Sequence, residues 1–454
     1  MKNALILSAL LTLGPVCFAQ QTEKYPLGNY EELTDTKPHD GAEVWNKMTT
    51  PTCLSWGTTD IRYKKLNVPD IKKTTRWQGK AWKGERINAQ AVLWTKEALD
   101  DVTAQIEKGD VGMDQHEITR EIPLLNADGE LTEPGYAKKL LPVYRRADIK
   151  ASPMRIKEWD YYLINNGRFA LALTIDDNGY MGLDSISLLN FEEGWEITTS
   201  PMCFMPLGKR KLPETSKTGD TTAIGKNYSI YFKNNGSGVR TLIAQMKRFG
   251  PAGSLYAKVE LFDEPEESMV IATPFDKPGH FYYNQKINCM RARGEVTYDG
   301  HTYVFDPSDS FAVLDWGRGV WTYKNTWYWG SASGAVDGVP FGWNIGYGFG
   351  NTSAASENML FYNGKAHKLS QVKFNIPGDE KAFMEPWTFT SDDGRFEMGF
   401  RPVLDRASCT DVGLIKSDQH QVFGLFTGKA VLDDGKVIEI KDFPGFAEKV
   451  SNKW

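Results

Sequence analysis

Cysteine is scarce in this chain: 5 among 454 residues, too few and too scattered for a disulfide scaffold. No two form a CxxC pair, which excludes a zinc ribbon and a thioredoxin-like motif. The 6 histidines, at positions 39, 116, 280, 301, 367 and 420, show no HxH or HExxH spacing, so no metal site of the zinc-hydrolase kind is expected. A Walker loop and a GxSxG elbow are missing, which disfavours nucleotide hydrolysis and α/β-hydrolase chemistry. Charge of one sign does not dominate. Lys plus Arg number 53 against 58 Asp plus Glu, a net of −5, which is unsuited to electrostatic capture of nucleic acid. No stretch has strong helical periodicity, and no run of about 18 apolar residues occurs, so no integral membrane segment is expected in the mature chain.

The residues that are present favour sheet. Apolar residues make up 41% and charged residues 24%, a globular balance, and 12% aromatics with 42 Gly suit strands and turns. Asn178-Gly179, Asn235-Gly236, Asp299-Gly300, Asn363-Gly364, Asp393-Gly394 and Asp434-Gly435 each separate apolar or alternating runs. Such pairs suit hairpin turns, whose central residues take positive φ. Three fall before Tyr303 and three after, so a boundary between two β lobes is expected near residues 300 to 310. The expected fold is mainly β: a two-lobed antiparallel barrel or sandwich with strands of 5 to 8 residues, preceded by a partial N-terminal β domain. Lys138 to Leu141 is a short helix candidate.

The N-terminus reads as an address. Lys2, the apolar run Ala4 to Leu13 and the small-residue stretch ending Phe18-Ala19-Gln20 have the layout of a secretory signal peptide. The expected division is 1–19 signal peptide, 20–112 partial β-sandwich-like segment, 113–305 first β lobe and 306–454 second. Export would place the protein in the periplasm or outside the cell; a natural start at Met113 would leave it in the cytoplasm. After removal of the signal, Cys53, Cys203, Cys289 and Cys409 read as buried free thiols. Residues 83–95 alternate Ile87, Ala89, Ala91 and Leu93 at period two, which predicts a half-buried strand.

Several positions suit chemistry. In Phe341 to Gly350 one strand face carries Phe341, Trp343, Ile345, Tyr347 and Phe349, and the other Gly342, Asn344, Gly346, Gly348 and Gly350. A glycine-lined face either admits close packing or forms a pocket floor with Asn344 as its polar group. Asp315 lies in the apolar stretch Phe311 to Trp316, where burial would raise its pKa and prepare a general acid. Arg318 is its natural counter-charge. A regular strand points the two to opposite faces, whereas a bulge at Gly317 would join them as a structural ion pair. Glu357 with Asn358 allows the same two readings. Asp315 and Glu357 form the candidate catalytic pair, and their separation would distinguish glycoside chemistry from hydration. His420 suits proton transfer or a structural role. Arg318, Trp327, Tyr328, Trp329, Asn344 and Asn358 are the candidate ligand contacts; no cofactor is expected.

Leu314 to Trp321, Trp327 to Gly330, Asn344 to Gly350 and Ser356-Glu357-Asn358 together resemble domain-of-unknown-function family 2804. The likeness continues through Pro386-Trp387, Asp393-Gly394-Arg395, Asp405-Arg406, Gln419 to Gly424, Gly445 to Glu448 and Trp454, and spans about Met113 to the end. It implies a two-lobed lipocalin-like fold similar to that of carotenoid hydratases and tocopherol cyclases, which enclose small apolar substrates. Lys83 to Thr95 resembles the N-terminal sandwich of glycoside hydrolase family 123-like proteins of secreted glycan-degrading systems, although no catalytic barrel follows. The expectation is a small-ligand pocket performing metal-free acid/base chemistry, of hydratase, cyclase or isomerase type, on a largely apolar molecule. A non-catalytic ligand-binding module and a carbohydrate-processing protein are the alternatives, and the expected partner is a small molecule, apolar or glycosidic.

Overall fold

The computed structural model describes residues 115–251, 253–411 and 416–453 and, before them, 11–12, 40, 42–50, 52–57, 68–69, 71–74 and 88–95. Most of the expected signal peptide, residues 83–87, Met113 and Trp454 lie outside the described residues. The chain divides into two compact units, Met1–Asp110 and Val111–Trp454. In the smaller unit Asn88–Thr95 pairs antiparallel with Thr52–Gly57, and Leu11–Thr12 lies along Asn88 and Ala89. Cys53, Val92 and Trp94 build a small core there with Trp45, Met48, Val68 and Ile71.

The larger unit is two-lobed, antiparallel and lipocalin-like. A 14-stranded sheet forms the first lobe and a 9-stranded sheet the second. All six Asn-Gly and Asp-Gly pairs connect strands that are hydrogen-bonded neighbours. Asp299-Gly300 and Asn363-Gly364 take positive φ at both positions, and so does Asp337-Gly338, a turn outside those six that joins Lys324–Val336 to Val339–Tyr347. Several strands exceed 5 to 8 residues: Phe281–Tyr298 has 18 and Val437–Lys453 has 17. Bulges make this length workable. A register shift between Ile287 and Met290 bends Phe281–Tyr298, so that its first half pairs with Met269–Pro274 and its second with Gly253–Phe262.

Two expectations need correction. The chain passes between lobes only after Val320 and before Lys324, later than residues 300 to 310, because Phe311–Val320 is paired on both sides within the first sheet. Lys138 to Leu141 is not helical. Pro142 disfavours the helical conformation at Leu141, and the Lys138 carbonyl accepts from Ser268 N across to another segment. The four described cysteines are free, yet only Cys53 and Cys289 are buried; Cys409 is exposed.

Alternation decides what each strand buries. Ala312, Leu314, Trp316 and Val320 point into the first lobe, packing with Tyr283, Phe249 and Tyr162. Phe341, Trp343 and Ile345 fill the second with Phe374, Phe426 and Phe443. Each lobe is largely filled by its own side chains, and the first keeps a small cavity of about 10 Å³ among Asp160, Thr221, Arg240 and Trp316. The opposite strand faces meet in a seam between the lobes. Asn288, in the bulge, donates from Nδ2 to Ser331 Oγ at 2.8 Å, and Cys289 N donates to Ser333 Oγ at 3.0 Å. A Cβ on Gly342 would lie 2.7 Å from Cys289 Sγ, so the glycine face serves close packing of one lobe on the other.

Candidate functional site

Strand register lays two rows of side chains against each other across the seam. In the first lobe Tyr161, Asp315 and Lys286 stand directly opposite one another on three adjacent strands. In the second, Gly346, Trp329, Glu448, Gln421 and Arg406 form the matching row. The rows touch: Lys286 Nζ lies 3.8 Å from the Trp329 ring centroid, and Tyr161 packs edge-on against the same indole. Trp159, Tyr282, Trp321, Trp327 and Phe349 extend the aromatic lining.

Three carboxyl groups converge here. Asp315 pairs with Lys286 at 2.8 Å and accepts from Asn284 Nδ2 at 2.6 Å. Glu357 has its pKa raised by burial, an effect that Lys286 and Asn344 oppose and Asp315 reinforces. Its Oε2 is 3.4 Å from Asn344 Nδ2, while Asn344 Oδ1 accepts from Trp329 Nε1 at 2.7 Å. Glu448 is pushed up to about 7 by burial, against hydrogen bonds from Trp327 Nε1 and Gln421 Nε2, both 2.9 Å. Gly346 makes room for the cluster: a Cβ there would lie 2.7 Å from Glu357 Oε1.

Buried polar atoms without well-formed hydrogen bonds lie in the same seam. They include the Tyr161 hydroxyl, Gln421 Oε1, Asn284 Oδ1 and Asn288 Oδ1, with Tyr161 and Gln421 near enough to perturb each other. One same-face step along the strands, about 7 Å, Leu163, Val313, Ser331 and Phe446 border a small cleft of about 10 Å³, room for about one water.

The structure gathers five of the sequence-predicted residues in the seam: Asp315, Glu357, Trp327, Trp329 and Asn344. Asn358 packs behind them, accepting from Gly346 N at 2.7 Å and donating to the Ser370 carbonyl at 2.8 Å. Arg318 is misplaced by the sequence reading. Pairing runs unbroken through Gly317, so no bulge forms, and Arg318 points into the first lobe, bound to Asp160 at 3.1 Å. Gly317 instead admits the Trp159 ring, which a Cβ would overlap. Tyr328 lies on the other strand face from Trp327 and Trp329, stacked on Tyr347 and hydrogen-bonded to Glu380. His420 likewise points away from Gln421, bonded to Asp405 at 2.7 Å and stacked on Phe383. Sequence reasoning missed Lys286, Glu448, Tyr161 and Gln421. Each is a polar residue or Tyr at seam parity in a long strand, a signal that becomes readable once strand pairing is known.

Fold and seam define a class: two-lobed, lipocalin-like antiparallel proteins with a charged, aromatic-walled join between the lobes. Within it, the chain belongs to the family described as Domain of unknown function (DUF2804), which matches residues 115–454. The Glycoside hydrolase 123 N-terminal domain matches residues 56–123. No curated protein matches. Among solved structures, the AttH-type protein from Nitrosomonas europaea is similar at 11% identity, covering 67% of this chain and 95% of its own, with a TM-score of 0.40. Kievitone hydratase from Nectria haematococca is similar at 11% identity, covering 73% and 98%, TM-score 0.37. CghA is similar at 12% identity, covering 74% and 94%, TM-score 0.39.

Proposed function

We propose that the seam performs acid/base chemistry on a small, largely apolar molecule: protonation followed by addition of water, ring closure or isomerisation. The observation that carries this reading is the pairing of two carboxyls with raised pKa, Glu357 and Glu448, with the Asp315–Lys286 ion pair in one indole-walled seam. A carboxyl held protonated near neutral pH is a competent proton donor. Positive charge developing on the substrate would face the Trp327 ring, since the Lys286 ammonium already lies over Trp329, with the carboxylate of Asp315 nearby. The orphaned Tyr161 hydroxyl, Gln421 Oε1 and Asn284 Oδ1 would orient water or a substrate hydroxyl. Entry requires the lobes to part at the cleft bordered by Leu163 and Phe446.

The test is a screen of the full chain against apolar alkenes, phenols and polyenes, with ligand-induced melting shifts as readout. Mass spectrometry then detects gain of one water or an isobaric product. Turnover that is lost in Glu357→Gln or Glu448→Gln supports the proposal, while turnover unchanged in both variants and in Asp315→Asn refutes it. Binding without turnover by the wild type favours a non-catalytic carrier. Carbohydrate processing is a second reading, favoured by the match of residues 56–123 to a domain named for glycoside hydrolases. Oligosaccharides that raise the melting temperature more than apolar ligands do would select it.

A further inference from the structure

We propose that the edge segment Met202 to Lys211 of the first lobe docks on a lipid bilayer surface carrying anionic headgroups. The strand Met202–Phe204 pairs with Met181–Leu183 at the margin of the sheet, and its alternation is inverted. Cys203 turns inward to Arg210 Nη2 at 2.9 Å, while Met202 is 56% exposed, Phe204 78% and Met205 45%. A sheet margin normally guards itself with charges or proline rather than offering a bare phenyl ring between two thioethers.

This display is built rather than loose. Asp184 N donates to the Pro201 carbonyl at 2.9 Å, Met205 N to that of Tyr180 at 2.9 Å, and Leu207 N to that of Gly179 at 3.1 Å. Gly208 N donates to Asp177 Oδ2 at 2.8 Å, Arg210 forms an ion pair with Asp184, and the Tyr228 hydroxyl donates to Asp184 Oδ2 at 2.7 Å. These contacts hold Met205, Leu207 and Lys211 at φ near +50°, a left-handed conformation that non-glycine residues keep only where the surroundings impose it. Exposed Met154 joins the same end, its carbonyl lying against Gly179.

Charge selects the occupant. Lys209 and Lys211 flank Arg210 and are exposed, and among the described residues neither ammonium is in an ion pair. The chain as a whole carries −5, so two free lysines beside an apolar tip run against the general balance. An aromatic and methionine tip beside lysines suits the boundary between headgroups and acyl chains, where the apolar groups insert and the ammonium groups meet phosphates. The proposal does not rest on the chemistry assigned to the seam.

Flotation of the full chain with phosphatidylcholine vesicles, with and without phosphatidylglycerol, tests it. The wild type is expected to float with the phosphatidylglycerol vesicles and to be released by high salt. Lys209→Glu with Lys211→Glu is expected to lower partitioning by roughly tenfold or more, and Phe204→Ser by several-fold, with melting temperature and circular dichroism unchanged. Glu448→Gln is expected to float as the wild type does. Failure of the wild type to float, or flotation of the variants equal to it, overturns the proposal. So does a lipid-free dimer that Phe204→Ser converts to monomer, which would assign the patch to a second copy of the chain.

Discussion

Glu448→Gln isolates the electrostatic strain in the seam. Burial lifts Glu448 from an ordinary 4.5 to about 7, so the folded protein binds this proton more tightly than the unfolded chain does. Below about pH 4.5 the carboxyl is neutral in both states and costs nothing. As pH rises from there to about 7, folding must hold the proton or bury a charge, and stability falls; above about 7 the full penalty applies. The difference between 4.5 and about 7, at about 1.4 kcal/mol per pH unit, sets an upper bound of about 3.5 kcal/mol. Glutamine keeps the shape and never ionises. Its oxygen can still accept from Trp327 Nε1, and its amide can donate to Gln421 Oε1 once the Gln421 side chain flips, which satisfies an atom now without a partner. For a unit of about 340 residues, with unfolding entropy near 2.1 cal/mol/K per residue, about 3.5 kcal/mol corresponds to about 5 °C. Melting curves of both proteins from pH 4 to pH 9 are therefore expected to coincide at the acid end and to separate between about pH 4.5 and 7, the variant melting higher by up to that amount. Parallel curves across the range would refute the assignment of a buried, proton-holding Glu448.

Lys286→Met leaves Asp315 buried with only Asn284 as partner and is expected to cost about 3–5 kcal/mol, read as a lowered melting temperature. Adding Asp315→Leu to it removes the orphan charge and is expected to recover most of that loss while abolishing any ligand response. Gly346→Ala puts a Cβ 2.7 Å from Glu357 Oε1 and 2.8 Å from the Tyr328 carbonyl, so a stability loss of about 1–3 kcal/mol with weakened ligand binding is expected from melting with and without ligand. His420→Asn breaks a partly exposed pair with Asp405 away from the seam, and is expected to cost under about 1 kcal/mol and leave the ligand-induced melting shift unchanged.

Turns and strand faces were the legible part of the fold. An Asp-Gly or Asn-Gly pair marks a hairpin because those residues tolerate positive φ, and Asp299-Gly300 and Asn363-Gly364 adopt it. The bare face of Phe341 to Gly350 was also visible, since period two needs only the local sequence. Partners were not. The apolar run around Asp315 announces burial, yet its counter-charge is Lys286, brought opposite by antiparallel register and distant in sequence, whereas Arg318 is near in sequence and on the wrong face. Trp327, Tyr328 and Trp329 read as one aromatic group, but a strand turns the middle residue away from the outer two.

All ten residues of Phe311–Val320 are buried, the signature of a strand covered on both faces rather than one with a wet side. Parity then divides its charges: Arg318 goes to the first lobe and Asp315 to the seam. Such burial is a poor way to gain stability, because desolvation offsets most of the attraction within an ion pair and apolar residues of like size would serve as well or better. Arg318 pairs with Asp160 and faces Glu158, and its two terminal nitrogens also bond the Trp159, Gly317 and Pro213 carbonyls, while its Nε has no hydrogen bond. The seam is likewise incompletely satisfied. Glu357 and Glu448 have carboxyls that burial pushes toward the neutral form, and neighbouring polar atoms lack good partners. What sets the seam apart is that its groups gather behind four tryptophans, the surroundings that the proposed proton donation would use.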